Sequence, residues 1–285
     1  MNQSQPITPQ TINCKGKLID LSTPKIMGIL NLTPDSFYAP SQINQAEQLL
    51  QTAQQMLAQG ATFLDIGGYS TRPNATYISP DEELSRILPA IKILSQHLPQ
   101  AILSVDTFRA TVARQAIEAG AHLVNDISGG TLDDQMFQTV AQMKVPYILM
   151  HLKGTPQTMQ SQTHYQDMIG EITNHLLQKI NQLRQLGLKD VIIDVGFGFA
   201  KTIDQNYHLL NHLQRFQILE LPILTGISRK SMVWKTINKT PNEALNGTSA
   251  LHLLALQKGS NILRVHDVAP AMEIIKIFEK ITQNQ

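Results

Sequence analysis

The chain has 285 residues, of which 42% are hydrophobic and 16% are charged, and its formal net charge is +1 at pH 7. This composition is that of an ordinary folded globular protein, long enough to bury a sizeable core. A charge balance near zero excludes a nucleic acid or membrane partner attracted by bulk charge, but is compatible with a local anion site. The single cysteine, Cys14, excludes an intramolecular disulfide framework and a cysteine-rich metal site.

The first residues, M-N-Q-S-Q-P, are polar, and no run in the sequence approaches the roughly 18 apolar residues of a transmembrane helix. We therefore expect no signal peptide, no membrane span and a cytoplasmic location. Residues 1–11 are expected to form a flexible tail. Short apolar residues alternate between Ile12 and Leu21 around Lys15-Gly16-Lys17, which predicts a small β-hairpin.

From Lys25 onward, predicted strands and helices alternate. The strands are expected at 25–30, 63–66, 102–105, 123–125, 145–150, 191–194, 222–225 and 261–265. The helices are expected at 45–59, 80–98, 109–119, 133–143, 165–186, 203–213, 240–258 and 270–282. Two of the helix starts carry a capping-box pattern, S-P-D-E at 79–82 and T-P-N-E at 240–243.

Eight strand–helix units predict a parallel sheet closed into a (β/α)8 TIM barrel, an α/β fold that follows the N-terminal hairpin. Neither a low-complexity linker nor a shift in composition interrupts the units, so residues 12–282 are expected to form one domain. The alternative is an open doubly wound sheet, which would carry phosphate-binding glycines after its first strand. Ile29-Leu30-Asn31 supplies none, and this disfavours the alternative.

Polar or ionisable residues follow every predicted strand. One such residue could be a solvated turn, but eight would crowd like charges and unpaired amides at one end of a barrel. We therefore predict a binding site at the C-terminal rim. Its candidates are Asn31, Asp65, Thr71-Arg72, Asp106, Asn125-Asp126, His151, Asp194, Ser228-Arg229-Lys230, Arg264 and His266-Asp267.

The residue types divide this rim into two halves. One half offers carboxylate acceptors, an amide and an ammonium donor: Asp106, Asp194, Asn125 and Lys230. These groups suit a flat ring with adjacent N–H donors and a carbonyl, such as a 2-amino-4-oxopyrimidine edge. The other half suits a polyphosphate, because it is cationic or rich in amides, and comprises Asn31, Thr71, Arg72, Arg264 and His266. Asn31 also offers a hard oxygen for Mg²⁺, which keeps waters and shares phosphate oxygens.

Eight motifs resemble, in order, those of the dihydropteroate synthase family. They are M-G-I-L-N-L-T-P-D-S-F at 27–37, D-I-G-G-Y-S-T-R-P at 65–73, S-V-D-T at 104–107, N-D-I-S-G-G at 125–130, M-H-L-K-G-T-P-Q-T-M at 150–159, D-V-G-F-G-F-A-K-T at 194–202, G-I-S-R-K-S at 226–231 and R-V-H-D at 264–267. A short motif such as S-V-D-T would be weak alone. Eight in order, covering about residues 12 to 280, make the resemblance specific.

The resemblance implies a transferase of folate biosynthesis that joins 6-hydroxymethyl-7,8-dihydropterin diphosphate to 4-aminobenzoate and releases pyrophosphate. It implies a homodimer, Mg²⁺ held at Asn31, and a target for sulfonamides. The implied pterin contacts are Asp106, Asn125, Asp194, Lys230 and Met150, although Met150 could equally be a core residue. The implied diphosphate contacts are Asn31, Thr71, Arg72, Arg264 and His266. The implied aminobenzoate contacts are Pro73, Phe199, Lys230 and Ser231, and the implied catalytic set is Asp35, Arg72, Lys230, Arg264 and His266.

In the implied reaction, pyrophosphate leaves first, after Mg²⁺ and the cationic side chains neutralise it. Its departure leaves a methylene cation delocalised into the pterin ring, which the arylamine attacks, so no side chain is needed as a covalent nucleophile. Two other functions stay open: a non-catalytic pterin-binding paralogue and a pterin-dependent methyltransferase of the same barrel type. Asp35, Arg72 and Arg264 oppose the first, and the cationic diphosphate contacts oppose the second.

Two stretches depart from the family pattern. Tyr38-Ala39-Pro40 stands where the family commonly has a glycine-rich acidic run, and Pro40 stiffens what glycines would loosen. Val195 and Ala200 stand where a proline and a glycine are usual, so Ala200 requires a backbone that tolerates a Cβ. None of the proposed pterin or phosphate contacts is changed by these departures.

Overall fold

The computed structural model describes residues 11–32, 42–70 and 76–283. The ten strands in this part of the chain are β1 Thr11–Cys14, β2 Lys17–Asp20, β3 Lys25–Asn31, β4 Phe63–Gly67, β5 Ile102–Asp106, β6 Leu123–Asp126, β7 Tyr147–Met150, β8 Val191–Asp194, β9 Ile223–Thr225 and β10 Ile262–Val265. The helices are α1 Gln42–Ala58, α2 Pro80–His97, α3 Ala110–Glu118, α4 Met136–Met143, α5 Met168–Gln185, α6 Ile203–Asn211, α7 Ser231–Trp234, α8 Leu245–Gln257 and α9 Val268–Thr282. Among these helices, none combines the length and apolar character needed to cross a membrane.

Eight parallel strands close into a barrel in the order β10-β3-β4-β5-β6-β7-β8-β9. Strands β1 and β2 form a separate antiparallel hairpin, turned by Lys15 and Gly16 at positive φ. The predicted (β/α)8 barrel with an N-terminal hairpin is therefore confirmed. The doubly wound alternative is wrong, since an open sheet would not pair its first barrel strand with its last.

Several predicted boundaries move because local hydrogen bonds take a different form. Helix α4 begins at Met136 rather than at Asp133, whose carboxylate instead accepts from the N–H groups of Ala110 (2.7 Å) and Gln135 (3.0 Å). The capping box of Thr240 and Glu243 is present, but it opens a 3₁₀ turn, and α8 begins only at Leu245. The short helix α7 was not predicted, because four residues carry no helical periodicity.

An apolar layer fills the lower barrel and is closed by the hairpin. Each barrel strand contributes one buried residue to it: Met27, Phe63, Ile102, Leu123, Ile148, Ile192, Leu224 and Ile262. Ile12, Cys14, Ile19 and Leu21 of the hairpin segment belong to the same cluster. Lys17 Nζ of the hairpin donates to the carbonyl of Gln100, just before β5, which places the hairpin at the N-terminal end of the strands. The bottom of the barrel is thereby sealed, and the open end is the C-terminal rim.

The hairpin plug can be tested by stability. Ile12→Ala is expected to lower the free energy of unfolding by about 2–5 kcal/mol, because it leaves a cavity under the apolar layer. Leu18→Ala is the matched control: Leu18 lies on the same hairpin but is 70% exposed, so a change within about 0.5 kcal/mol is expected. Urea unfolding followed by circular dichroism measures both. Equal losses in the two variants would contradict the plug.

Candidate active site

The predicted rim residues meet because side chains alternate along each strand. Positions two residues beyond the apolar layer also point into the barrel. These second-layer positions are Ile29, Asp65, Ser104, Asn125, Met150, Asp194, Gly226 and Arg264, and Asn31 and Asp106 stand one step higher. A polar layer therefore rests directly on the apolar one, at the open end of the barrel.

Arg264 connects the carboxylates of this layer. Its Nε donates to Asp65 Oδ2 at 2.6 Å and its Nη2 donates to Asp106 Oδ2 at 2.7 Å. Asn125 Nδ2 donates to the same Asp65 oxygen at 2.9 Å, so the amide oxygen and the second amide N–H of Asn125 remain for a ligand. Burial raises the pKa of Asp106 to about 7, against the opposing effect of Arg264. Asp65, which is fully buried, thus orients both Arg264 and Asn125.

Asp194, Lys230 and Arg264 surround one point at Gly226. A Cβ placed on Gly226 would lie 3.9 Å from Asp194 Oδ2, 3.9 Å from Lys230 Nζ and 4.0 Å from Arg264 Cβ. Burial raises the pKa of Asp194, and burial lowers the pKa of Lys230 to about 8, each against the attraction of the other. Asp194 and Arg264 therefore lie close together, as predicted. Because Gly226 has no side chain, the space between them stays open.

Lys230 is held from below by the turn that follows β8. Its Nζ donates to the carbonyl of Phe197 and lies 4.6 Å from the centroid of the Phe199 ring. The other Asp194 oxygen, Oδ1, accepts from the N–H of Gly196 at 2.8 Å. Ser231, the first residue of α7, is exposed beside Lys230. The turn thus orients a carboxylate and an ammonium group that both face Gly226.

One side of the mouth is apolar. Met150 packs in a buried cluster with Ile127, Leu152, Met159 and Ala200, and the rings of Phe108 and Phe199 pack against it. Met150 is thus both a packed residue and an inward one of the second layer, so its two predicted roles do not exclude each other. A flat ring above the polar layer would find one apolar face here.

The predicted diphosphate side is described in part. Asn31 is exposed, and a Cβ placed on Gly67 would lie 3.6 Å from its Oδ1 and 3.7 Å from Asp106 Oδ2. His266 follows β10, with its Nδ1 3.0 Å from Ser228 Oγ. Four predicted site residues lie outside the described residues: Asp35, Thr71, Arg72 and Pro73. The unusual Tyr38-Ala39-Pro40 lies outside them as well.

Comparison with known proteins agrees with this geometry. Residues 27–266 match the family model described as pterin binding enzyme. The dihydropteroate synthase of Haemophilus influenzae is 39% identical over 92% of this chain and 96% of its own, and that of Synechocystis is 44% identical over 90% and 89%. A crystal structure of the Yersinia pestis enzyme with a sulfonamide drug superposes with a TM-score of 0.89 at 40% identity, covering 96% of this chain and 99% of that one. A structure of the Xanthomonas albilineans enzyme with 4-aminobenzoic acid has a TM-score of 0.87 at 36% identity, covering 96% and 98%.

The chain belongs to the dihydropteroate synthase family. It is therefore an enzyme, a transferase of folate synthesis, as the eight motifs implied. Small molecules of the pterin and aminobenzoate class are the ligands of such proteins, and sulfonamides target them.

Not every polar residue of the rim lines the mouth of the barrel. Asp126 faces away, because it is one position out of phase with Asn125. Its carboxylate accepts hydrogen bonds from the N–H groups of Ser128 (2.7 Å) and Gly130 (2.9 Å) and from the hydroxyl of Tyr147 (2.6 Å). Asp126 therefore serves the fold. The prediction that polar strand ends as a group form the site is wrong at this position.

Arg229 and Asp267 also bind each other rather than the mouth. Arg229 Nε and Nη2 donate to the two oxygens of Asp267 at 2.8 and 2.6 Å. This pair joins the segment after β9 to the start of α9. These two rim residues therefore have a structural role, and they do not line the mouth.

Two residues of the site were not assigned a role from the sequence. Asp65 was a rim candidate, but its bridge to Arg264 and Asn125 spans strands far apart in the chain. Counting inward positions from Phe63 would have placed it inside the barrel. Lys201 lies within the motif at 194–202, but the sequence gives it no role of its own. Hydrophobic periodicity does not show where the side chain of a residue after a turn will point.

The pKa of Asp106 predicts how pterin binding depends on pH. Protonation removes a hydrogen-bond acceptor, so pterin affinity should fall as the pH drops through about 7, rather than near the usual value of about 4. We expect the Kd of bare 6-hydroxymethylpterin to rise about tenfold per pH unit below that point. Asp106→Asn should bind weakly at every pH and lose the part of this limb that Asp106 contributes, leaving the part due to Asp194, whose pKa burial also raises. Calorimetric titration between about pH 5 and pH 9 measures it, and a wild-type Kd constant down to about pH 5 would contradict it.

Proposed function

We propose that this chain condenses 6-hydroxymethyl-7,8-dihydropterin diphosphate with 4-aminobenzoate, giving 7,8-dihydropteroate and pyrophosphate. The observation that carries the proposal is the arrangement of Asp194, Lys230 and Arg264 around Gly226. It places an acceptor and a donor at one open point beside the Arg264 side chain, above an apolar floor and beside an apolar wall. The family of the chain supplies the reaction class.

Pterin recognition follows from which atoms are already used. Asp194 Oδ1 is held by Gly196, so Oδ2 is the oxygen offered to the 2-amino group and the adjacent ring N–H. Asn125 is assigned to the pterin through its amide oxygen and its second N–H, because its first N–H is held by Asp65. Lys230 supplies the donor for the ring carbonyl, and Met150 packs against the ring face. Asp106 Oδ2 accepts from Arg264, so we assign the other oxygen of Asp106 to a pterin N–H donor. Each charge-assisted hydrogen bond would contribute about 1.5–3 kcal/mol.

The diphosphate is assigned to the neighbouring part of the rim. Arg264 uses Nε and Nη2 on Asp65 and Asp106, and neither bond uses Nη1, the nitrogen that we assign to a phosphate oxygen. His266 stands two residues further along the same strand end, and Arg72 and Thr71 complete the predicted set. Arg264 thereby connects the pterin side to the leaving-group side.

Mg²⁺ is the proposed cofactor, and Asn31 is its proposed protein ligand. Within residues 11–32, 42–70 and 76–283, no group of three or more His, Cys, Asp or Glu side chains could hold a metal ion. That suits Mg²⁺, which keeps its waters and is usually bound through few protein oxygens together with substrate phosphates. When bound, Mg²⁺ supplies charge neutralisation to the diphosphate.

The proposed mechanism is dissociative. The bond between the pterin methylene carbon and the diphosphate oxygen breaks, and pyrophosphate leaves with the electron pair, favoured by the cations Arg264 and Arg72 and by hydrogen bonding to His266. The remaining cation is delocalised into the pterin ring, next to the carboxylates of Asp106 and Asp194 and to the predicted Asp35. The amine of 4-aminobenzoate then attacks the methylene carbon, a C–N bond forms, and the nitrogen gives up one proton to solvent. Positioned charge does the catalysis, and no covalent enzyme intermediate forms.

The aminobenzoate is assigned to the outer edge of the mouth. Phe199 and Lys230 are in contact there, and exposed Ser231 follows Lys230. The Xanthomonas albilineans relative was solved with 4-aminobenzoic acid, which supports this ligand class for the present chain. Pro73 is the remaining predicted contact. A cytoplasmic location for the reaction stays a prediction.

Turnover with matched aspartate variants tests this function. The wild-type chain should release pyrophosphate only when pterin diphosphate, 4-aminobenzoate and Mg²⁺ are all present, and chelation should stop the release until Mg²⁺ is restored. Asp194→Asn should weaken pterin binding about 10- to 100-fold, since one charge-assisted contact is lost. Asp126→Asn is the control: it should cost about 2 kcal/mol of stability and leave the KM for pterin diphosphate near the wild-type value.

The alternatives give different outcomes in the same assay. A non-catalytic paralogue would bind pterin without releasing pyrophosphate. A methyltransferase would bind bare pterin as tightly as its diphosphate. Equal effects of the Asp194 and Asp126 variants on pterin affinity would contradict the assignment of the mouth.

We further propose that the chain forms a homodimer through α8 and α9. These helices pack side by side, and α8 reads L-N-G-T-S-A-L-H-L-L-A-L-Q, with apolar residues around much of its circumference. Leu254 of α8 is 44% exposed and Ile277 of α9 is 50% exposed. A helix that is apolar on its outer face favours burial against a partner.

Sedimentation analysis tests the dimer. The wild-type chain should sediment as a dimer at micromolar concentration, and Leu254→Glu should shift it to monomer, because a carboxylate would be buried in the interface. Leu177→Glu on α5 is the matched control, since Leu177 is 42% exposed, and it should leave the dimer intact. A monomeric wild-type chain, or identical behaviour of the two variants, would contradict this interface.

A further inference from the structure

Lys201 is a buried ammonium group that the proposed chemistry does not use. Lys201 comes directly after the turn that follows β8, and it is 5% exposed. Its Nζ donates to the carbonyls of Gly196 and Phe199, both at 3.0 Å, and lies 3.2 Å from His151 Nδ1. Among the described residues, no carboxylate oxygen comes within the 4.0 Å of an ion pair with it. Burying a charged group is unfavourable, so this ammonium group must keep its hydrogen bonds to the two carbonyls and to His151.

The turn that Lys201 binds has an uncommon backbone. Gly196, Gly198 and Ala200 have φ values of 75°, 79° and 51°, so every second residue is left-handed. A Cβ on Gly196 would lie 2.1 Å from the carbonyl oxygen of His151, which leaves no room for another residue type. Ala200 carries a Cβ at positive φ, which L-residues rarely adopt, and it is buried in the apolar wall. The ammonium group bridges the carbonyls at the two ends of the turn and so closes it.

The same turn orients two proposed pterin contacts. The Gly196 N–H holds Asp194 Oδ1, and the Phe197 carbonyl holds the Lys230 ammonium group. The Phe199 ring lies under Lys230 as well. A change in the turn would therefore move an acceptor and a donor of the site together.

The charge of Lys201 also acts on Asp194. Burial raises the pKa of Asp194, and the cations that oppose this rise are Lys230, Arg264 and Lys201. The charged or titratable groups that face Lys201 itself are Asp194, Lys230, His151 and, behind His151, His175. Burial lowers the pKa of both histidines, so His151 is a neutral acceptor near neutral pH. Burial also lowers the pKa of Lys201 to about 7, so the positive charge of Lys201 is fully present only below that pH.

We propose that Lys201 is a positioning residue: it fixes the 196–199 turn so that Asp194 and Lys230 face the pterin. This inference rests on the proposed pterin site. It assigns Lys201 no contact with the substrate. Removing the side chain should therefore weaken pterin binding in a protein that is still folded.

The test compares Lys201→Met with Lys15→Met. Lys15 Nζ also donates to a backbone carbonyl, that of Ile117 at 2.9 Å, but it belongs to the hairpin at the opposite end of the barrel. Circular dichroism establishes folding, and calorimetric titration with bare 6-hydroxymethylpterin gives the Kd between about pH 5 and pH 9. We expect Lys201→Met to raise the Kd about tenfold or more and to move the part of the acidic limb due to Asp194 to higher pH, because Asp194 loses a neighbouring cation. Lys15→Met should change neither.

The outcomes separate this inference from the function on which it rests. A wild-type chain that binds no pterin overturns both. A wild-type chain that binds pterin, with a folded Lys201→Met variant of unchanged Kd and pH limb, overturns the positioning role alone. Equal losses in the Lys201 and Lys15 variants would also overturn it. If Lys201→Met does not fold, Lys201→Gln keeps two donors but no charge, and the shift of the acidic limb is then measured on that variant with the same interpretation.

Discussion

The alternation of side chains inside a closed parallel barrel governs the whole molecule. Each strand must point every second residue inward, so a chain that buries Phe63, Leu123 and Ile192 in one layer must bring Asp65, Asn125 and Asp194 together in the next. The hairpin seals the lower layer, which leaves the upper one as the accessible surface of the barrel interior. The site is therefore a consequence of register, and its position does not depend on any one loop.

Mutual compensation of charge makes this polar layer tolerable. Asp65 and Asp106 hold Arg264 in direct ion pairs, while Asp194 lies among the ammonium groups of Lys230 and Lys201. Burial nevertheless raises the pKa of Asp106 and Asp194 and lowers the pKa of both lysines. Burying these charged side chains lowers the stability of the fold, but it leaves them able to bind a ligand that presents both donors and acceptors. Binding sites commonly trade stability for function in this way. The pterin side and the leaving-group side share Arg264, so binding at one is expected to be felt at the other.

Much of this could be predicted from residues alone. The eight strand–helix units gave the barrel because glycines and capping residues delimit them, and Asp194 and Arg264 were placed at one rim because parallel strands end together. The out-of-phase position of Asp126 was not seen, since a strand end read without its register does not reveal which way a side chain points. The bridge from Asp65 to Arg264 and the grip of Lys201 on its turn depend on atoms brought together only by closure of the barrel. Resemblance to the family supplied the reaction, which no distance in the chain specifies.

A structure of the chain in complex with 6-hydroxymethylpterin tests the central claim most directly. The account predicts the ring above the apolar layer, with its 2-amino group within about 3 Å of Asp194 Oδ2 and its carbonyl within about 3 Å of Lys230 Nζ. A pterin bound outside the barrel mouth, or in the mouth without contact to Asp194, would contradict it.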